Sequence, residues 1–168
     1  MIKVLVVDDH ALVRMGIRRL LDDLPDIDIV GEADSGENAL TLVKTCLPDV
    51  ILLDMKMSGM DGWEVIRRLK KSHSNIKIIV LTSMSSEPFP ARLLQLGAMG
   101  YLTKESSMEE MVSAIRKVAL GQRYLSALVA QKIAMSSLDD SQKSPFDDLS
   151  EREMQVMMML SRGLSVPT

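Results

Sequence analysis

The sequence predicts an α/β fold with a parallel sheet, and two observations lead to this fold class. Five short apolar runs, each about as long as a buried strand, recur along the first 102 residues. Patterns typical of helices alternate with these runs, which is the arrangement expected of repeated βα units. The predicted strands are residues 2–7, 27–31, 50–53, 76–81 and 99–102. The predicted helices are residues 10–24, 36–47, 62–73, 88–96 and 108–120.

Local signals mark the ends of these elements in chain order. Pro25 follows the first predicted helix, and Ser35 is placed to cap the second. Pro48 separates the second helix from the third apolar run, and Gly121 follows the fifth helix as a residue suited to a helix end. These signals divide the run of patterns into five successive βα units.

Composition and charge limit the class of protein. At 168 residues, the chain suits one full domain with an appendage, and 46% apolar residues are enough for a folded core. The net charge of -3 gives no overall attraction to nucleic acid or to an anionic membrane. The single Cys46 excludes an intrachain disulfide framework and fits a reducing compartment. The first apolar run ends too early for a signal peptide or a membrane span, so we expect a cytoplasmic protein.

Polar residues follow the apolar runs at the points where the predicted strands end. Asp8 and Asp9 end the first run, and Asp54 ends the third. Thr82 follows the fourth run, and Lys104 follows the fifth. Because the carboxyl ends of parallel strands form the ligand site of an open α/β sheet, we expect these residues to converge. Three carboxylates repel one another unless a cation lies among them, and Mg²⁺ prefers such oxygen ligands. Asp54 is therefore a candidate phosphate acceptor beside a magnesium ion.

Four segments of the chain resemble the receiver domain of two-component response regulators. They are Asp8-Asp9-His10, residues 54–62, Leu81-Thr82-Ser83 and residues 97–104. Residues 87–90 and 144–153 are similar to the GacA/UvrY/LetA group of the NarL/FixJ (LuxR-type) transcriptional regulators. The resemblance implies a (βα)5 flavodoxin-like receiver whose parallel sheet has the strand order 2-1-3-4-5.

The resemblance also implies a role for each residue of the site. Asp54 would take a phosphoryl group from a phosphohistidine of a sensor histidine kinase. Asp9 and Asp54 would bind Mg²⁺ directly, Asp8 would act through water, and Lys56 would contribute its backbone carbonyl. The ammonium of Lys104 would then pair with a phosphoryl oxygen, in keeping with the charge neutralisation that phosphoryl transfer requires.

Two further residues are implied in the response to phosphorylation. The hydroxyl of Thr82 would turn to bond the new phosphate, and Tyr101 would fill the space that Thr82 leaves. A local change of charge would thereby alter the face formed by the fourth helix, fifth strand and fifth helix. The resemblance allows a homodimer through this face. Tyr101 also has the simpler interpretation of a core side chain.

Other residues have structural rather than chemical interpretations. His10 and His73 are too few and too scattered for a metal site, and they fit a solvated loop and a helix end. Cys46 is interpreted as a small apolar residue. Asp61 with the following glycine indicates a helix cap and a turn. Ser58 stands where the family often has proline, which predicts a less rigid loop after Asp54.

The sequence divides into three regions. Residues 1–121 are the expected receiver, residues 122–148 a linker with a short amphipathic helix over 124–135, and residues 149–168 a truncated LuxR-type helix-turn-helix segment. In the last region, Ser150 and Glu153 form a capping-box pattern for a first helix. The linker and the final region together carry five basic and six acidic residues, which gives no electrostatic attraction to DNA.

Two hypotheses of function stay open, and a third is weaker. The resemblance implies a phosphorylation-dependent DNA-binding regulator, although reading bases requires a recognition helix that this sequence does not include. The alternative is a receiver unable to bind DNA that acts as a phosphate sink or a heterodimerising partner. An enzyme of the aspartate-nucleophile phosphohydrolase class usually carries a second Asp two residues after the nucleophile. Lys56 occupies that position here, so no enzyme of this class is predicted.

Overall fold

Strands and helices alternate along the chain in a computed structural model, which describes residues 1–82 and 90–125 together with 130, 131 and 134. Within these residues the elements are β1 Ile2–Val7, α1 Ala11–Leu21, β2 Ile27–Ala33, α2 Gly36–Cys46, β3 Val50–Asp54, α3 Gly62–Ser72, β4 Lys77–Thr82, α4 Pro90–Leu96, β5 Gly100–Thr103, α5 Met108–Ala119 and β6 Tyr124–Leu125. All ten predicted strands and helices are present, which confirms the alternating pattern.

The strands form one parallel sheet with the order β2-β1-β3-β4-β5-β6. This confirms the α/β fold class and the implied order of the first five strands. A short sixth strand extends the sheet at the β5 edge, with Gly100 opposite Tyr124 and Tyr101 opposite Leu125.

The sixth strand corrects one prediction. The amphipathic spacing from residue 124 predicted the start of a helix, but Tyr124 and Leu125 are extended. The physical reason lies in the edge of β5, where unpaired backbone groups are available to another strand. The N–H of Tyr124 donates to the carbonyl of Met99 at 2.9 Å, immediately before β5 begins. Pairing with this edge takes precedence over the local helical pattern.

Helices cover both faces of the sheet, and a hydrophobic core lies on each side. In β3, Val50 and Leu52 belong to the core that contains side chains of α1 and α5. Ile51 and Leu53 belong to the other core, with side chains of α2 and α3. Because both faces of the strand are buried, its sequence is a continuous apolar run rather than an alternating one.

The predicted helix signals are confirmed at several ends. The hydroxyl of Ser35 accepts a hydrogen bond from the N–H of Asn38 at 3.1 Å and caps α2. The carboxylate of Asp61 accepts one from the N–H of Glu64 at 3.0 Å and caps α3. Gly121, at φ 88°, follows α5. The first helix ends at residue 21, three residues earlier than predicted. Pro25 accounts for the absence of helical backbone at Leu24 only.

Of the predicted linker helix over 124–135, residues 126–129, 132, 133 and 135 lie outside the described residues. The predicted helix-turn-helix segment at 149–168 also lies outside them. Among the helices that the structure describes, none combines the length and the apolar composition that crossing a membrane requires.

Candidate metal centre

The sheet brings the predicted acidic residues to one edge. β1 and β3 are parallel neighbours with Val7 opposite Leu53, so Asp8 and Asp54 are the next residues on adjacent strands. The fifth strand ends beside the fourth, where the N–H of Lys104 donates to the carbonyl of Thr82 at 2.7 Å. The predicted convergence of strand ends therefore has a simple cause in the register of the sheet.

Carboxylates and one ammonium group meet at this edge. One oxygen each from Asp8, Asp9 and Asp54 lies within 4.8 Å of the others, together with a ring nitrogen of His10. The Nζ atom of Lys104 lies 3.1 Å from Asp8 Oδ2 and 3.4 Å from Asp54 Oδ2. The side chains of Asp8 and Asp54 are buried, whereas that of Lys104 is 24% exposed. A single ammonium therefore bridges the two buried carboxylates.

The oxygen atoms of this cluster fit a hard divalent cation. Asp8 Oδ2, Asp9 Oδ1 and Asp54 Oδ2 are buried and accept no hydrogen bond from the described part of the chain. Their contacts with Lys104 and His10 have the distances of ion pairs without the angles of hydrogen bonds. Buried polar atoms of this kind lower stability unless a partner satisfies them. Three carboxylates against one ammonium leave negative charge for an ion such as Mg²⁺ to neutralise.

The loop after β3 contacts the central carboxylate through its backbone. The N–H of Lys56 donates to Asp54 Oδ1 at 3.2 Å, and this bond fixes one oxygen of the carboxylate while the other faces Lys104. The side chain of Lys56 is exposed. This arrangement places the backbone of residue 56, rather than its ammonium, next to the site.

Thr82 and Tyr101 lie on the same side of the sheet but do not join the carboxylate cluster. Thr82 is opposite Thr103, and Tyr101 is opposite Val80. Residues two apart in a strand share a face, so Tyr101 and Thr82 are diagonal neighbours on adjacent strands. Both are buried, and Tyr101 belongs to the core cluster on that face. The structure therefore places Tyr101 in the core and next to Thr82 along the diagonal.

Sequence reasoning missed two residues around this centre. His10 is 63% exposed, as expected of a solvated loop, but its Nδ1 also lies 3.1 Å from Asp8 Oδ1 and 3.0 Å from Asp9 Oδ1. Arg14, on the first turn of α1, donates from Nη1 to the carbonyl of Asp8 at 2.6 Å. Its Nε lies 3.4 Å from Glu32 Oε1 on β2. The only sequence signal for either residue was its position just after the acidic pair.

The surroundings of the candidate site shift the pKa values of Asp54 and Lys104. Burial, and then the negative charge of Asp8, raise the pKa of Asp54 above its usual range, although the Lys56 N–H and the charge of Lys104 act in the opposite direction. Burial lowers the pKa of Lys104, but its contacts with Asp8 and Asp54 outweigh burial and raise that pKa overall. Lys104 is therefore a stable cation, whereas charged Asp54 is destabilised until a second cation is bound.

The raised pKa of Asp54 predicts an unusual dependence of stability on pH. A carboxyl group that binds its proton more tightly in the folded state stabilises folding at low pH and loses that contribution as pH rises through the folded pKa. In EDTA at neutral pH, Asp54→Asn should therefore have a larger free energy of unfolding than the wild type. The difference should disappear at a pH below the unfolded-state pKa of the carboxyl group. Urea denaturation monitored by circular dichroism measures the free energy of unfolding of the wild type and of the variant at each pH.

Asp26 supplies the control for this prediction. Its hydrogen bond with Arg116 lowers the pKa of its carboxyl group, so Asp26→Asn should reduce stability at neutral pH. The two substitutions remove the same charge but should act in opposite directions. A wild type that is more stable than Asp54→Asn in EDTA would contradict the electrostatic account of the site.

Comparison with known proteins gives a consistent result. A family model for the response regulator receiver domain matches residues 4–116. The response regulator GacA of Pseudomonas aeruginosa is 52% identical over 162 residues, which cover 96% of this chain and 76% of the relative. The response regulator UvrY of Escherichia coli is 48% identical over 167 residues, covering 99% of this chain and 77% of the relative. The crystal structure of a LuxR-family two-component response regulator from an Aurantimonas species is 32% identical, with a TM-score of 0.77, and the match covers 82% of this chain and 99% of that chain.

Proposed function

Because this chain belongs to the response regulators of the NarL/FixJ (LuxR-type) family, we propose that it accepts a phosphoryl group on Asp54 from a sensor histidine kinase. Response regulators are signalling proteins, and the output depends on the phosphorylated state. The observation that carries the proposal is the contact of one ammonium, that of Lys104, with two buried carboxylates at adjacent strand ends. Asp54 is the central member of this group.

The chemistry proposed for Asp54 is nucleophilic substitution at phosphorus. One carboxylate oxygen forms a bond to phosphorus while the bond from phosphorus to the histidine nitrogen of the kinase breaks, which leaves an acyl phosphate. The Lys56 N–H holds Oδ1 at 3.2 Å, so Oδ2 on the Lys104 side is the oxygen that we assign as the nucleophile. Lys104 is placed to pair with an oxygen of the transferred group.

The cofactor that we propose is Mg²⁺. Asp9 and Asp54 would bind it directly, Asp8 through water, and Lys56 through its carbonyl. When bound, the ion supplies positive charge for the phosphoryl oxygens as the transfer proceeds. In its absence, burial and then the negative charge of Asp8 keep the pKa of Asp54 raised.

Phosphorylation of the 168-residue chain by acetyl phosphate tests the proposal directly. In the presence of Mg²⁺, we expect the intact mass to increase by one phosphoryl group. The same incubation in excess EDTA should leave the mass unchanged, because the ammonium of Lys104 would then have to offset the charge of the carboxylates and of the phosphoryl group without the metal. An adduct that forms equally in EDTA would contradict the metal requirement.

Thr82 and Tyr101 are proposed to transmit the phosphorylated state. They are diagonal neighbours on β4 and β5, so a change at Thr82 reaches β5 directly. With a beryllofluoride mimic, amide exchange should change across residues 83–96 and 99–120 more than across 27–47. Of these, residues 83–89 lie outside the described part of the chain. A change confined to the loops around Asp54 would remove the support for this switch.

We also propose the organisation of the whole chain. Residues 1–121 form the phosphoacceptor unit, in agreement with the matched region 4–116. Residues 122–148 are proposed as a linker and 149–168 as part of a helix-turn-helix segment. The proposed partners are the kinase, a second copy through the face formed by α4, β5 and α5, and DNA in the manner of the family. A phosphate sink or heterodimerising partner unable to bind DNA is the alternative output, and the cytoplasm is the proposed compartment.

A further inference from the structure

The ring of His10 lies against the candidate metal centre, where its Nδ1 forms a hydrogen bond with Asp8 Oδ1 and lies equally close to an oxygen of Asp9. It is the residue immediately before α1, yet its side chain forms no hydrogen bond that caps the helix. Its backbone N–H donates to Asp8 Oδ1 at 2.8 Å, which holds the start of the side chain close to the carboxylates. The ring nitrogen Nδ1 then lies 3.1 Å from Asp8 Oδ1 and 3.0 Å from Asp9 Oδ1.

These distances suit neighbouring ligands of one ion. In an octahedral site with metal–ligand bonds of about 2.1 Å, adjacent ligand atoms are about 3 Å apart. The Nδ1 atom is this far from Asp9 Oδ1, an oxygen of a proposed direct ligand. To bind the ion as well, Nδ1 would exchange its hydrogen bond with Asp8 Oδ1 for the metal and carry no proton. It also lies within 4.8 Å of the ligand atom that Asp54 offers. The side chain of His10 is 63% exposed, so a small shift of the ring towards a bound ion would not disturb the core.

The buried oxygens of the site give an independent reason to expect an ion at this point. Asp8 Oδ2 and Asp54 Oδ2 belong to nearly fully buried side chains and accept no hydrogen bond within the described residues. Their contacts with Lys104 have the distances of ion pairs without hydrogen-bond geometry, so a second cation among the carboxylates would stabilise the site further. The ring of His10 is on the solvent side of the same group, where it can complete the coordination.

We propose that His10 Nδ1 is an additional ligand of this site and extends its preference from Mg²⁺ to borderline divalent ions of the first transition series. Imidazole nitrogen binds such ions well, whereas Mg²⁺ prefers oxygen ligands and water. A site of carboxylates alone favours the hard ion. With His10 included, the relative affinity for an ion such as Co²⁺ increases. This inference rests on the metal site of the proposed function and adds a residue that determines which metal the site selects.

Calorimetric titration of the full chain with Mg²⁺ and with Co²⁺ tests the assignment. His10→Ala should weaken Co²⁺ binding about tenfold, by analogy with the effect of losing one supporting group at a metal site, while Mg²⁺ affinity stays within about twofold. The visible absorption of bound Co²⁺ should change in the same variant, because it reports nitrogen ligation. His73→Ala is the matched control, since it removes the other histidine of the chain, whose Nδ1 lies 2.8 Å from Ser72 Oγ at the end of α3.

The outcomes separate this inference from the proposed function. An unchanged ratio of Co²⁺ to Mg²⁺ affinity in His10→Ala would overturn the role of His10 and leave the magnesium site intact. An equal loss of Co²⁺ binding in His73→Ala would also overturn it, because the metal would then bind histidines without regard to the site. A wild type that binds no Mg²⁺ would contradict the proposed cofactor and, with it, the basis for assigning His10.

Discussion

Replacing Asp54 with asparagine is expected to abolish the phosphoprotein that acetyl phosphate and Mg²⁺ produce. An amide is not a nucleophile towards phosphorus under these conditions, and it removes a metal ligand at the same time. Asp8 and Asp9 remain in the variant, but neither has its carboxylate held by the Lys56 N–H beside Lys104. Intact mass spectrometry after incubation should show only the unmodified chain.

Asp34→Asn is the matched control for this substitution. Asp34 follows β2, the next strand along the sheet, but it is exposed and accepts a hydrogen bond from the side chain of Asn38 instead of joining the cluster. This variant should be phosphorylated as fully as the wild type. If an adduct persisted in Asp54→Asn, the phosphoacceptor would be another group, and the proposed chemistry would have to be reassigned.

Replacing Lys104 with alanine is expected to slow phosphorylation by about a hundredfold or more, which is typical of losing one charged or hydrogen-bonding group that stabilises a transition state. The substitution leaves the carboxylates that we propose as Mg²⁺ ligands in place, so Mg²⁺ binding should persist. It should also make the rate begin to fall at a higher pH. The positive charge of Lys104 lowers the pKa of Asp54, and its loss would reduce the fraction of Asp54 present as carboxylate.

The test of Lys104 requires two measurements on the same protein. Stopped-flow or mass-based rates with acetyl phosphate give the loss in transfer, and calorimetry gives Mg²⁺ affinity. Lys117→Ala is a suitable control. Lys117 is on α5, and its ammonium lies 5.6 Å from the centre of the Tyr124 ring rather than at the carboxylates of the candidate site. A wild-type rate in Lys104→Ala would rule out the proposed role for its ammonium, whereas lost Mg²⁺ binding would indicate a damaged site.

The fold was predictable because burial on both faces of the sheet leaves a strong sequence signal. The residues from Val50 to Leu53 are all buried, and a run of this kind is hard to accommodate except in a covered parallel strand. Once the runs are identified as parallel strands, the convergence of Asp8, Asp54 and Lys104 follows from sheet geometry alone. Some helix ends were also predictable, because their signals lie within a few residues of the end. The hydroxyl of Ser35, for example, caps α2 by accepting a hydrogen bond from the N–H of Asn38.

What the sequence did not reveal depends on contacts between distant elements. The strand at Tyr124 forms because β5 offers an unpaired edge, and no pattern within residues 124–135 contains that information. His10 reaches the carboxylates through the turn that follows β1, and Arg14 reaches the carbonyl of Asp8 from α1. Such contacts depend on turn geometry and side-chain rotamers, which residue spacing alone does not specify.

The buried carboxylate of Asp54 sets selection for stability against selection for function. Selection for thermal stability alone would favour an uncharged residue at position 54, because the folded chain without metal is destabilised by the charge of Asp54. The proposed phosphoacceptor role of Asp54 requires the same charge. A library screened only for thermal stability should therefore enrich substitutions at position 54. The most stable of these variants should not accept a phosphoryl group from a kinase.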